Sequence, residues 1–206
     1  MKEELTILLM IGLLVPLTAN AATESATRPS EKSELAPVYI NRCIDASIES
    51  VWESWTTAAG IRSFFSRDSV VEPHIDGEFS VLFFPDEPPG LRGAEGMRIV
   101  ALEPEKRLVV TWDQPPRFAT IKDQRALVEY RFRERNDCGT EIRVKHFGWG
   151  NSDEWKQARE YYQGAWETVL DRLEYRYEHG PLDWDNVPDH LWYRGPSSSV
   201  STENRD

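Results

Sequence analysis

The chain has 206 residues, 40% hydrophobic and 29% charged, the composition of a globular domain long enough to bury a core without metal or disulfide staples. Its 35 acidic residues outnumber 24 basic ones, for a formal net charge of −11. Affinity for phosphate backbones comes from clustered Lys and Arg, so nucleic acid is not an expected partner.

The first element reads as a targeting segment. Leu5 to Leu17 is apolar apart from Thr6, Gly12 and Pro16, and Ala19-Asn20-Ala21 supplies the small-x-small pattern of a signal peptidase site. Lys2 is followed by Glu3 and Glu4, so the leading end is not clearly positive. The apolar run is shorter than the roughly 20 residues that span a bilayer. We therefore expect a signal peptide over 1–21, cleaved near Ala21, and a periplasmic or secreted protein with no stable membrane span; the alternative is a retained anchor. Residues 22–36 are rich in Ala, Ser, Thr and Glu and read as a disordered linker.

The domain is expected over 37–180. Val38 to Ile44 alternates as a strand, after which Asp45 or Ser47 caps a helix carrying Ile48, Val51, Trp52 and Trp55. Thr56, Thr57 and Gly60 break it, and Ile61 to Phe65 continues as a second short helix. Asp76-Gly77 marks a hairpin between a strand near 70–75 and Phe79 to Phe84, followed by a proline-rich loop. Hairpins then join Met97–Leu102 to Leu108–Trp112, and Ala126–Arg133 to Thr140–Phe147. The closing helix has Asn151 and Glu154 in capping-box spacing, an apolar face from Trp155 to Leu173, and a Gly180-Pro181 stop. Residues 181–206 form an extension whose Trp184, Leu191, Trp192 and Tyr193 pack back, followed by a disordered polar tail.

Period-two alternation puts Val128, Tyr130, Phe132, Ile142, Val144 and His146 on one sheet face, with Glu129, Arg131, Glu141 and Arg143 on the other. One dry and one wet face is the habit of an antiparallel sheet. The expected class is α+β: a curved antiparallel sheet wrapped around a long C-terminal helix.

Ile44-Asp45-Ala46 leading to Val51-Trp52 and Trp55, the run Glu103 to Trp112, Thr140 to His146, and Gly164-Ala165-Trp166 with Leu170 and Leu173 come in an order that resembles the SRPBCC (START-like, helix-grip) superfamily. Within it the chain is similar to AHSA-type domains, homologues of the activator of the ninety-kilodalton heat-shock protein's ATPase. The resemblance implies a groove between sheet and long helix that holds apolar small molecules in many relatives, some of them cyclases or dehydratases. Partnership with the cytosolic chaperone fits an exported chain poorly.

Phe79, Val81, Phe83, Trp112, Tyr130, Phe132, His146, Tyr162 and Trp166 are the expected ligand-binding set. The same bulky groups can equally fill the space themselves, since a void costs roughly 24 cal/mol per Å³; a small or narrow pocket is expected. His146 has no carboxylate on its face, so it reads as a structural histidine bonded to Tyr130, Tyr162 or backbone, or as a ligand contact. No catalytic residues are assigned. His74, His179 and His190 show no metal-ligand spacing, and no metal or cofactor is expected. Arg125, Arg131, Arg133, Arg135, Arg143 and Lys145 are expected in ion pairs with interleaved Glu129 and Glu141. If Cys43 lies opposite Arg143, it stands on the order of 16 Å from Cys138, which makes both cysteines free thiols. The expected function is non-catalytic binding of a hydrophobic or lipid-like small molecule. The alternatives are a cyclase- or dehydratase-like enzyme using His146 and a tyrosine, or a protein-interaction module contacting an unknown partner through 85–91 or 181–194.

Overall fold

A computed structural model describes residues 35–193 and Gly195. The expected signal peptide, residues 22–34 of the expected linker and the tail beyond Gly195 lie outside the described residues.

Among the described residues eight strands and three α-helices follow one another: β1 (Val38–Ile44), α1 (Ile48–Thr56), α2 (Ala58–Arg62), β2 (Asp68–Val71), β3 (Phe79–Leu82), β4 (Gly93–Ala94), β5 (Ile99–Glu103), β6 (Arg107–Trp112), β7 (Ala126–Arg135), β8 (Gly139–Phe147) and α3 (Asp153–His179), with a 3-10 turn at Asp189–Leu191. Five strands form an antiparallel sheet in the order β1-β8-β7-β6-β5, and three form another, β2-β3-β4. Main-chain bonds link the two, Phe79 N–H to the Met97 carbonyl (2.8 Å) and Ile99 N–H to Gly77 (3.0 Å). This is the α+β helix-grip arrangement, and α3 supplies the gripped helix.

Alternation determines the inner face. Val128, Tyr130, Ile142, Val144 and His146 are all fully buried, while Arg131, Arg133 and Arg143 are exposed. On the outer face Glu129 is held by Arg107 (2.6 Å) and Arg131 (2.8 Å), and Glu141 by Arg133 (2.8 Å) and Arg143 (3.3 Å). The arginines of this face thus belong to a lattice of ion pairs.

Several boundaries depart from expectation for local reasons. Thr57 ends α1 with its N–H on Glu53 and starts α2 by accepting from Gly60 N–H (2.9 Å). Gly60 therefore lies inside α2 and breaks nothing; a Cβ there would stand 2.4 Å from the Glu53 carbonyl, so the residue permits close approach of the two helices. Ser152, not Asn151, caps α3. Glu154 does not reach back to the cap, because its carboxylate accepts the Thr120 N–H (2.9 Å). Gly180, at φ +95°, stops the helix with its N–H on Arg176.

Residues 181–193 form a strap along α2 and α3. Leu182 N–H bonds the Ser63 carbonyl (2.9 Å), Trp184 Nε1 donates to Arg62 (2.7 Å), and Leu182 and Leu191 are buried. Arg172, only 6% exposed, donates to the Leu191 carbonyl (2.8 Å) with its guanidinium 5.4 Å from both the Trp184 and Trp192 rings. The chain enters the domain where Arg159 donates to the Ala36 and Pro37 carbonyls. It leaves past Tyr193, whose ring lies against Gly164.

The cysteines correct the sequence reading. Cys43 and Cys138 are disulfide-bonded, with Cα atoms 5.9 Å apart. Cys43 lies opposite Glu141, not Arg143, and Gly139 at φ +83° packs its backbone against Ile44 and Ala46, which carries the β7–β8 turn back to β1.

Candidate ligand site between sheet and closing helix

Strand parity on β6, β7 and β8 and the apolar face of α3 aim their largest side chains at a shared interior. Trp166, in the middle of α3, is its hub: ring centroids lie 5.2 Å from Trp112, 5.8 Å from Tyr130, 5.8 Å from Phe65 and 6.0 Å from His146. Tyr162 sits 4.5 Å from His146. Phe83, partly buried, joins through Phe65 (5.9 Å), and Phe132 packs edge-on against Trp52 (5.2 Å) at the far end. Phe79 and Val81 are buried in the same core. All nine expected residues thus belong to one continuous interior, and the ring contacts show how closely that interior is filled.

Four further aromatics complete it. Trp55 lies 4.3 Å from Tyr130, and Phe64 and Phe65 pack 5.0 and 5.7 Å from Trp55. Trp55 belongs to the apolar face of α1, and Phe64 and Phe65 to the apolar run Ile61 to Phe65, whose last residues form the turn just past α2. Trp149 follows the last strand between two glycines and packs 4.0 Å from His146. Gly148 holds φ +84°, and a Cβ on Gly150 would lie 2.3 Å from the Trp155 ring.

His146 is fully buried, and its partners are indoles rather than tyrosines. Trp166 Nε1 donates to Nδ1 (3.1 Å), and Trp149 Nε1 donates to the His146 carbonyl (3.1 Å). Burial holds the imidazole neutral, well below its ordinary protonation range. Because Nδ1 accepts, the ring proton sits on Nε2, and that atom has no hydrogen-bond partner among the described residues. Trp55 Nε1 and the Tyr130 hydroxyl are likewise buried and unpartnered. Burial also raises the Tyr130 and Tyr162 hydroxyls well above their usual range. Tyr162 donates to the Asp113 carbonyl (2.8 Å).

The segment before β7, the end of β8 and the first turn of α3 border a half-open cleft of about 460 Å³. It is lined by Thr120, Ile121, Gln124, Arg125 and residues 148–152, with Trp149 and Trp155 as its apolar wall. Trp149 is shared: it lines the cleft and touches both His146 and Tyr162. Asp113 lies at this end of the sheet, 3.5 Å from Arg125, and desolvation, opposed by that guanidinium, raises its carboxyl to about 6.

The model of the activator of Hsp90 ATPase homolog 1-like proteins matches residues 45–178, nearly the whole of this grip. The chain belongs to that family. Solved structures similar to this AHSA-type chain include protein MLL2253 of Mesorhizobium loti, 21% identical over 71% of this chain and 99% of that one, TM-score 0.55. CalU16 of Micromonospora echinospora is 22% identical over 72% and 78%, TM-score 0.52. The Aha1 dimer from Colwellia psychrerythraea is 16% identical over 71% and 98%, TM-score 0.54. At these identities the likeness establishes the shared helix-grip fold. No curated relative matches the chain.

Proposed function

We propose that this AHSA-type protein is an exported, non-catalytic binder of a neutral small molecule, apolar over most of its surface and carrying a hydrogen-bond acceptor. The ligand enters through the Trp149 cleft and lodges among the rings between the sheet and α3. One observation carries the reading: His146 Nε2–H, Trp55 Nε1–H and the Tyr130 hydroxyl are buried donors without acceptors, grouped along one run of touching rings around Trp166. An unmatched buried polar group costs about 1–3 kcal/mol, and a carbonyl or ether oxygen answers such donors without bringing a charge into the interior. The half-open cleft, polar along most of its lining, serves as the entrance rather than the resting place. Filled as it is, the interior favours a flat or slender ligand that displaces Trp149.

His146 meets no carboxylate or nucleophile among the described residues, which favours binding over acid–base work. Export rests on the apolar run before Ala21 and on the disulfide, a bond that persists in oxidising compartments.

Native mass spectrometry of the protein from its own host tests the occupant directly; a co-purifying neutral mass is expected. In parallel, tryptophan quenching with an aromatic ketone and the hydrocarbon of the same skeleton is expected to favour the ketone about tenfold, the worth of one satisfied donor. Tyr130→Phe narrows that preference. Equal affinity for both, or binding of neither, overturns the proposal.

A further inference from the structure

We infer that Cys43 and Cys138 are a substrate site for an extracytoplasmic thiol–disulfide oxidoreductase, and that their bond completes the fold only after export. The inference goes beyond ligand binding and rests on the export reading. Three observations carry it. Cys43 sits on the sheet's edge strand, whose partners are the last strand and the last helix: β1 pairs with β8, and Arg42 forms ion pairs with Asp171 and Glu174 of α3. A chain emerging from its N-terminus therefore presents β1 long before anything exists to pair with it. Next, the two cysteines are 95 residues apart in sequence, so closing them fixes the longest-range pairing of the sheet. Finally, Cys43 is exposed and Cys138 is half-exposed, within reach of a partner enzyme.

The Cys43 thiolate attacks the oxidoreductase's disulfide; that bond breaks, one of the enzyme's sulfurs leaves as a thiolate, and a mixed disulfide forms. Once the β7–β8 turn docks, the Cys138 thiolate attacks the Cys43 sulfur, the mixed bond breaks, and the enzyme leaves as a dithiol. Two electrons and two protons pass from the chain's thiols to the enzyme's disulfide. In a reducing compartment both cysteines stay thiols, and the sheet closes without its staple.

The full chain, expressed in its host, is acid-quenched, fractionated and labelled with a maleimide polymer. Exported protein is expected to take no label, whereas a form lacking residues 1–21 and retained in the cytoplasm takes two. Cys138→Ser, unable to resolve, is expected to accumulate a reducible mixed disulfide on non-reducing gels at least fivefold above Cys43→Ser. Reduction of the purified protein is expected to lower the melting temperature by about 10–20 °C, from the loop-closure cost of a ~100-residue ring. Exported protein that labels at both thiols, or equal trapping by the two variants, overturns the inference. If the variants fail to fold, wild-type labelling still decides whether the bond exists. Fractionation reads export separately: a full chain found in the cytoplasm fails the export reading and with it this inference.

Discussion

His146→Phe isolates the energetic role of the one histidine in the interior. In the unfolded chain the imidazole takes up a proton near pH 6.5; in the fold, burial pushes that uptake well lower. Below pH 6.5 the unfolded state binds a proton that the folded state refuses. The contribution of His146 is therefore whole above pH 6.5 and lost as pH falls, at about 1.4 kcal/mol per unit. At pH 7.5 the substitution strands Trp166 Nε1–H but removes the unpartnered Nε2–H; each is worth about 1–3 kcal/mol, so the two nearly cancel. The expected result is a small difference at pH 7.5 and a variant more stable than wild type by about 1.4 kcal/mol at pH 5.5. With an m-value of about 2 kcal/mol/M, that is a shift of about 0.7 M in the urea midpoint. A difference between the two proteins that stays constant from pH 7.5 to 5.5 refutes the claim that His146 is held neutral.

Asp113 works in the opposite sense. Its folded carboxyl is raised to about 6, with the side chain 25% exposed, so the fold holds a proton that the unfolded chain lacks at pH 4 to 6, and stability from this group is lost as pH rises through 6. Asp113→Asn is expected to add on the order of 2 kcal/mol at pH 7 and nothing at pH 4, read from urea midpoints. Arg172→Ala takes away the cation between Trp184 and Trp192 and its bond to Leu191, about 2–4 kcal/mol in all. Limited proteolysis is expected to cut that variant within 181–193 well before wild type; equal cleavage rates would show that the strap is held by other contacts.

The helix-grip fold was legible because two periodicities in the chain point at one interior: the alternation Val128-Tyr130-Phe132 opposite Ile142-Val144-His146, and the stripe Trp155 to Leu173. Tyr130, Phe132 and His146 share an interior with Tyr162 and Trp166 because of those two periodicities; Phe79 and Val81 arrive from the other sheet, where every position of β3 is buried. Finer placement did not follow, because it depends on contacts between distant segments. The His146 partner is an indole one helix away, a choice that parity does not make. Glu154 stands at capping-box spacing but is drawn to Thr120 by a loop that sequence cannot position. The cysteine pairing turned on a register error of two residues, about 7 Å at strand spacing, compounded by a turn that Gly139 curls back toward Ala46. Gly60, which reads as a helix breaker, is a helix-packing residue for the same kind of reason: the carbonyl it accommodates belongs to another helix.

The entry at Ala36, clasped by Arg159, and the exit at Tyr193, seated on Gly164, fall within about one and a half turns of the same helix. The domain's entry and exit, at Ala36 and Tyr193, therefore both lie on one flank of α3. The same proximity suits the domain 36–193 to circular permutation: a short glycine bridge from Tyr193 to Ala36, with new termini opened in the proline-rich loop at 85–90, is expected to leave the sheet and its gripped helix intact.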